Sequence, residues 1–545
     1  MALNVNWLAA PIAVPLLFAA FGLLVSRVRH IHAPAWQYAV TLVGALLNLG
    51  VTVAILATNL QGERLVLQMG GYPAPFGITL FADGLTGIML SITAVLAFTT
   101  ILYAGGTLDE RARLNFYPLT LFLIMGVNGA FLAGDLFNLY VFFEVLLMAS
   151  FALLTLGGQI GQINGGIRYV LLNLLASALF LATAGVVYGT VGTLNMAHIA
   201  ERMPAAPMGA QVLIAGLLLV AYSSKAGLFP LFFWLPASYH TAHPAVTALF
   251  GGLLTKVGVY TLFRIYPLIF PNLLQEWQGL ILTVAGLTMV IGVFGAMAVS
   301  TVRRVLSFHI ISQVGYMVMG LGLAAGVDPR LAGLGLAAGI LHLVHNMIIK
   351  TGLLMAAGAA EISAGSGSLL RNRLTGLRGL RPLLAVLFFV AAMALAGMPP
   401  SSGFVSKLAL LQAAINGQQW PIAAVSLLVS FFTLMGMLRL WQRGFWGYPA
   451  LTPAAIRQTD TPLRRGLTLT PIALLIALSL AIGIFSGPVF QWSEIAARQA
   501  MDRDGYIAAV GPTDVIEYIP KLESESESRL EAAPELMPQE VSHAQ

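Results

Sequence analysis

Four lysines and one glutamate stand inside segments that are otherwise apolar enough to cross a bilayer. Lys225 lies in AYSSKAGLFP, Lys256 in LLTKVGVY, Lys350 in HNMIIKTGLL, Lys407 in SGFVSKLALL and Glu144 in VFFEVLLM. A charge at mid-bilayer costs about 2.5–3.5 kcal/mol on insertion scales. Five of them require partners, water or a task, and the natural task is an ion or proton path. Glu144 has no base in its own span, so Lys225, two spans along, is its nearest candidate counterion. A proton arriving or leaving would make or break that pair; a static salt bridge locking the bundle is the alternative. Lys225 and Lys256 flank an interrupted helix and are expected to face one another from adjacent spans. Both lie too deep for easy snorkelling. His342 and His345 are three apart and share a helical face shortly before Lys350. No acidic residue or cysteine completes a metal set around them, so they read as proton stepping stones. His309, beside Arg303 and Arg304, is either a relay member or an interfacial histidine. His240 and His243 follow the seventh span, where they either guard a cytoplasmic entrance or are ordinary loop histidines. Asp83, Asp135 and Arg168 fall at span ends and read as anchors or caps.

These residues need a frame of membrane helices, and composition supplies one. The chain of 545 residues is 58% hydrophobic and 9% charged, with mean hydropathy +0.85, against roughly 25% charged in a soluble domain. It has no cysteine, which excludes disulfides, iron–sulfur clusters and thiolate-bound zinc. The net charge of +6 fits arginines in loops facing an anionic leaflet better than a nucleic-acid partner. The stretch from Trp7 to Ser26 imitates a signal peptide but lacks a basic flank and a cleavage site, so it reads as a retained first helix. No nucleotide loop, cofactor box or nucleophile constellation occurs, which argues for a transporter rather than an enzyme, with neither cofactor nor metal.

Apolar runs of bilayer length fall near 7–26, 36–60, 83–104, 115–133, 136–156, 167–192, 210–233, 244–266, 277–300, 306–326, 331–358, 382–416, 420–443 and 468–488, which predicts an all-α polytopic protein of fourteen spans. Residues 62–81 alternate weakly and predict a short hairpin outside the membrane. Arginine is concentrated in alternate loops: Arg27 and Arg29; Arg111 and Arg113; Arg168; Arg303 and Arg304; Arg371, Arg373, Arg378 and Arg381; Arg443, Arg457, Arg464 and Arg465. The opposite loops hold only Arg64, Arg202 and Arg330, so both termini are expected outside the cytoplasm. Two spans look broken, at LFPLFFWLPASYHTAHP after Lys225 and at GMPPSSGFVSK before Lys407. Paired Gly/Pro interruptions in two halves of a chain point to a transport site. Lys407 should lie one to two turns into its second half-helix, beside carbonyls that Pro399 and Pro400 leave free. After Pro488 an amphipathic patch runs to about Tyr518, followed by the acidic KLESESESRLEAAPE, disordered by composition.

These motifs together resemble a known family. KAGLFPLFFWLPASYHTAHPAVTALFGGLLTKVGVYTLFR at 225–264 is similar to the signature of the proton-translocating antiporter-like family, which includes the large membrane subunits of respiratory complex I and of multisubunit Mrp sodium/proton antiporters. FADGLTGIML, FFEVLL, SFHIISQVGYM and GMPPSSGFVSKLALLQ match in the same order. Leu235-Pro236 followed by Ala237-Ser238-Tyr239-His240-Thr241, HNMIIKT with Asn346 where an aspartate is usual, and Lys407 in place of a glutamate resemble the D-type branch of the Mrp antiporter membrane proteins.

The resemblance implies two inverted five-helix repeats, spans 4–8 and 9–13, with spans 7 and 12 broken. The chain then divides into residues 1–110, 111–266, 267–445 and 446–545. It also implies that Glu144 and Lys225 form the first-half pair, Lys256 the link and Lys407 the second-half site, with His345 and Lys350 between the last two. Na+ (or K+ or Li+) would leave the cytoplasm as H+ enters, in a bacterial inner-membrane complex with other membrane subunits. Alternatives are a proton-pumping subunit of complex I or a membrane hydrogenase, the membrane half of an inorganic-carbon uptake system, and a non-transporting scaffold.

Overall fold

The computed structural model describes residues 5–28, 33–369, 376–446 and 461–512. Among them, thirteen helices are long and apolar enough to cross a membrane. Span 12, split into Pro382–Ala396 and Ser402–Asn416, completes the expected set. The others are Ala10–Val28, Ala33–Leu60, Gly84–Thr107, Glu110–Leu132, Leu136–Leu154, Ile160–Val191, Met208–Ala226, Pro244–Ile269, Gln278–Ala298, Val302–Leu323, Pro329–Ala364, Trp420–Phe445 and Pro462–Ile484. Met208–Ala226 is the first half of span 7, which resumes as Trp234–Ser238. Asp83 and Asp135 cap spans 3 and 5 through the N–H groups of Thr86, Phe137 and Asn138.

Arg168 is not at a helix end. Span 6 starts at Ile160, after Gly158 turns the chain at φ +64° and Gln159 boxes the first turn. Its 32 residues run about 48 Å against a hydrocarbon core of about 30 Å, so Arg168 rides exposed on a protruding turn. The expected hairpin is present: Leu65–Gln68 pairs antiparallel with Thr79–Ala82, Leu65 opposite Ala82. The amphipathic patch forms two helices, Ser486–Met501 and Arg503–Val510. The acidic tail and Arg29, Arg371, Arg373 and Arg457 lie outside the described residues.

Bonds between loops agree with the alternation of spans. At one end Gly134 N donates to Thr79 O, Met196 N to Gly134 O, Gly84 N to Gln499 Oε1 (2.6 Å), and Arg503 reaches Ala200 O. At the other end Val302 N donates to Gly367 O and Leu369 N to Ser300 O, while Arg303 binds Glu361 (2.6 Å), Ala242 O and Thr247. This second end is the one that the arginine bias predicts to face the cytoplasm.

Burial separates the helices into a centre and a rim. Every residue of Pro244–Ile269 is buried, and spans 10 and 11 nearly so. Span 6 turns apolar side chains outward, Leu175 being 67% exposed, as a lipid- or partner-facing helix must. A buried ion pair joins the start of span 3 to span 8. Arg264 grips Asp83 with both terminal nitrogens at 2.6 and 2.7 Å, among Phe81, Tyr260 and Tyr506.

Candidate functional site

The two breaks share one backbone solution. Helix 208–226 ends at Gly227 (φ +77°) and helix 382–396 at Gly397 (φ +96°). A β-carbon is strained in this left-handed region. At each break the next two N–H groups turn back onto the last helical turn: Gly227 and Leu228 to Ser223 O, Gly397 and Met398 to Met393 O. This closes some end carbonyls and leaves others open.

At the second break the open carbonyls are Leu395 O and Ala396 O, the groups that the N–H of residues 399 and 400 would bond were those residues not proline. Lys407, five residues after Ser402, fills both: its Nζ donates to Leu395 O at 3.2 Å and Ala396 O at 3.0 Å. The ammonium also lies 5.0 Å from the Tyr316 ring centre, a cation–π distance.

Tyr316 connects this lysine to the histidines. Its ring is 5.3 Å from that of His342, which is 5.6 Å from that of His345. His342 Nδ1 pairs with Ser406 Oγ at 3.1 Å and His345 Nδ1 with Ser402 Oγ at 2.8 Å; Ser402 Oγ continues to Ser479 Oγ at 2.7 Å. Spans 10, 11, 12 and 14 thus meet in one polar cluster. The Nε2 atom of each histidine, both ring nitrogens of His309, and the side-chain amides of Gln313 and Asn346 are buried without a protein partner among the described residues. Buried polar atoms of this kind are the usual hosts of internal water. Lys350, one turn beyond Asn346, points its Nζ to Leu306 O at 3.4 Å. His309 also borders a cavity of about 420 Å³ beside Arg439 and Arg443.

The first half is arranged differently from expectation. Lys225 makes no ion pair with Glu144. Its Nζ donates to Ser177 Oγ on span 6 at 2.8 Å and lies 4.8 Å from the Phe143 ring centre. Glu144, next in sequence to Phe143, is half-buried, with Oε1 unpartnered. The physical reason is competition: Ser177 satisfies the ammonium without immobilising a second charge. Nor do Lys225 and Lys256 face one another. Span 8 rests on the first break at Gly258, where a β-carbon would come within 2.6 Å of Ala226 N. Lys256, two residues earlier, is rotated by about 200°, away from Lys225 and onto the face of Gly252, which packs against Met347 and Thr351 of span 11. Its Nζ donates to Gly251 O at 2.5 Å. The structure therefore joins Lys256, Lys350, His342, His345 and Lys407 in one group and leaves Glu144 and Lys225 as a second.

His240 and His243 sit in the loop that Arg303 binds through Ala242 and Thr247. His243 Nδ1 accepts a hydrogen bond from Ala245 N at 3.2 Å, capping span 8, and burial together with Arg303 pushes it down to about 4. Sequence reading missed Ser177, Ser402, Ser406, Ser479 and Tyr316. The only signal was polarity at the start of the half-helix Ser402–Asn416, for Ser402 and Ser406; Ser177 and Ser479 lie within spans 6 and 14.

A family model described as "NADH:quinone oxidoreductase/Mrp antiporter, TM" matches residues 133–433. The chain is 40% identical over 507 residues to the D-type Na(+)/H(+) antiporter subunit of Alkalihalophilus pseudofirmus, covering 93% of this chain and 99% of that protein. Among solved structures it superposes on a chain of the Mrp complex from Dietzia sp. DQ12-45-1b with TM-score 0.83 and 32% identity, covering 93% and 99% of the two chains. It also superposes on a chain of the membrane-bound sulfane sulfur reductase, an archaeal respiratory membrane complex, with TM-score 0.82 and 25% identity, covering 92% and 99%. The breaks, the buried lysines and these similarities agree: the chain belongs to the family of NADH:quinone oxidoreductase and Mrp antiporter membrane subunits.

Proposed function

We propose that this chain is a membrane subunit of a multisubunit cation/proton antiporter in a bacterial inner membrane, exchanging cytoplasmic Na+ (or K+ or Li+) for external H+. Other membrane subunits of the same complex are its partners. The observation that carries the reading is the group Lys256, Lys350, His342, His345 and Lys407, enclosed in the bundle with no described carboxylate at ion-pair distance. Such a row suits protons and repels Na+. Lysine and histidine exchange protons, whereas a sodium route needs carboxylate and carbonyl oxygens. This subunit therefore carries the proton limb, and Na+ crosses near Glu144 or elsewhere in the complex. Glu144 and Lys225 act as the entry pair, Lys256 as the link, His345 and Lys350 as relays, and Lys407 as the second-half site. His342 and His309 adjoin the relay, and His240 adjoins its cytoplasmic approach. The 40% identity to an antiporter subunit, against 25% to the reductase chain, favours this reading over a redox-driven pump.

The test is sodium-dependent proton movement in everted vesicles carrying the complete complex. Glu144→Gln and Lys225→Ala should each abolish exchange while the complex remains assembled. If the variants fail to accumulate, the two residues are structural; if exchange persists, the chain is a scaffold.

A further inference from the structure

We propose that a cleft beside the second half of span 7 binds one anionic phospholipid, its phosphate between Arg168 and Arg304 and an acyl chain along spans 9 and 10. The apolar part is a cavity of about 440 Å³ lined by Phe232, Phe233, Ile291, Phe294 and Phe308. It shares Ala237 and Arg304 with a polar pocket of about 220 Å³ lined by Asn164, Arg168, His240 and Thr241. Apolar wall and cationic mouth are therefore continuous, the order in which a phospholipid presents tail and phosphate.

Among the described residues the two arginines are unoccupied by protein. Arg303 is committed to Glu361, Ala242 O and Thr247. Neither its neighbour Arg304 nor Arg168 has an ion pair or hydrogen bond among the described residues. His240 Nδ1 is buried and unpartnered beside them. Guanidinium forks match phosphate oxygens in pairs. Other occupants fit less well. A small soluble anion would use the polar pocket but gain nothing from the phenylalanines, and two arginines repel a metal cation. The cleft opens outward, Phe233 being 64% exposed, and it lies at the arginine-rich end, where anionic headgroups gather. From Val290 to Gly295 span 9 offers about 7.5 Å of wall, enough for the first several methylenes of an acyl chain. The lipid would brace the half-helix Trp234–Ser238, which follows the first break.

The chain has no cysteine, so Phe233→Cys supplies one labelling point in it. Bimane would be attached in the assembled complex, with the unsubstituted complex labelled in parallel and subtracted. The sample would then be titrated in vesicles containing brominated phosphatidylglycerol or brominated phosphatidylcholine. Expected is quenching at roughly tenfold lower mole fraction of phosphatidylglycerol. Adding Arg168→Gln and Arg304→Gln should erase that preference. Equal quenching by the two lipids in the Phe233→Cys complex overturns the proposal without recourse to the arginine variants. So does crosslinking of Cys-reactive label to another subunit, which would assign the cleft to a protein interface.

Discussion

Replacing the glycine at each helix break by alanine separates backbone strain from damage to the lysine. Gly397→Ala and Gly227→Ala both put a β-carbon on left-handed backbone, at φ +96° and +77°, at a cost of at least about 1–2 kcal/mol each. The new methyl groups meet different neighbours. At Gly227 the nearest atom is Leu235 Cδ1 at 3.4 Å, an ordinary contact; at Gly397 it is Lys407 Cδ at 3.0 Å, with Cε at 3.7 Å. Lys407 must give by a few tenths of an ångström, which would carry its longer bond, 3.2 Å to Leu395 O, to the limit of a hydrogen bond. Each charge-assisted bond is worth about 1.5–3 kcal/mol, so losing one depopulates the seated ammonium roughly 10- to 100-fold. Sodium-dependent proton movement in everted vesicles, with assembly quantified in the same membranes, should fall at least about tenfold for Gly397→Ala and stay within about threefold for Gly227→Ala. Thermal stability should drop similarly in both. Equal losses of exchange would show that strain alone matters and that seating Lys407 on the carbonyls does not.

Three other outcomes follow from named contacts. Lys407→Arg keeps the positive charge but not a proton that can leave; assembly should be normal and most exchange lost between pH 7 and 9, and near-normal exchange would make Lys407 a fixed charge. Asp83→Asn strands the buried Arg264 at the hairpin end of the bundle at about 3–5 kcal/mol, so the complex should accumulate poorly and aggregate at lower temperature. Normal stability with lost exchange would move Asp83 into the ion path. For His243 the folded value of about 4 is below the usual 6.5. Its contribution to stability is therefore complete above about pH 6.5 and lost as pH falls toward 4. His243→Asn, which retains a capping acceptor, should flatten that acid loss and leave the exchange profile from pH 6 to 9 unchanged.

Span number, the hairpin and both breaks were legible because length, apolarity, glycine and proline act locally. Lys407 among freed carbonyls was legible for the same reason: Pro399 and Pro400 name the carbonyls four residues back. The direction of Lys256 and the partner of Lys225 were not. A helix buried on every side, such as Pro244–Ile269, has no polar face to reveal its rotation. That rotation is set by close packing such as Gly258 on Ala226, a long-range fact. Ser177 was hidden for a related reason, since an isolated serine in an apolar span reads the same whether it bonds its own helix or a neighbour's lysine.

The loop bonds at the two ends have a dynamic consequence. On the cytoplasmic side Arg303, in the second half of the chain, holds Ala242 and Thr247 of the first. On the far side the helices after span 14 lie over the hairpin and loops, tied through Gln499, Asp502 and Arg503. A transporter that exposes its site by rocking one half against the other would have to release one end at every turnover. The direct tie between the two repeats is the Arg303 end, whereas the far-end bonds join the C-terminal helices to Arg64, Gly84 and Ala200. With the repeats held together at one end, transport is expected to proceed by side-chain and water reorientation inside the bundle. Turnover should then follow proton-hop chemistry, with a solvent deuterium effect, and should respond little to the viscosity or thickness of the bilayer.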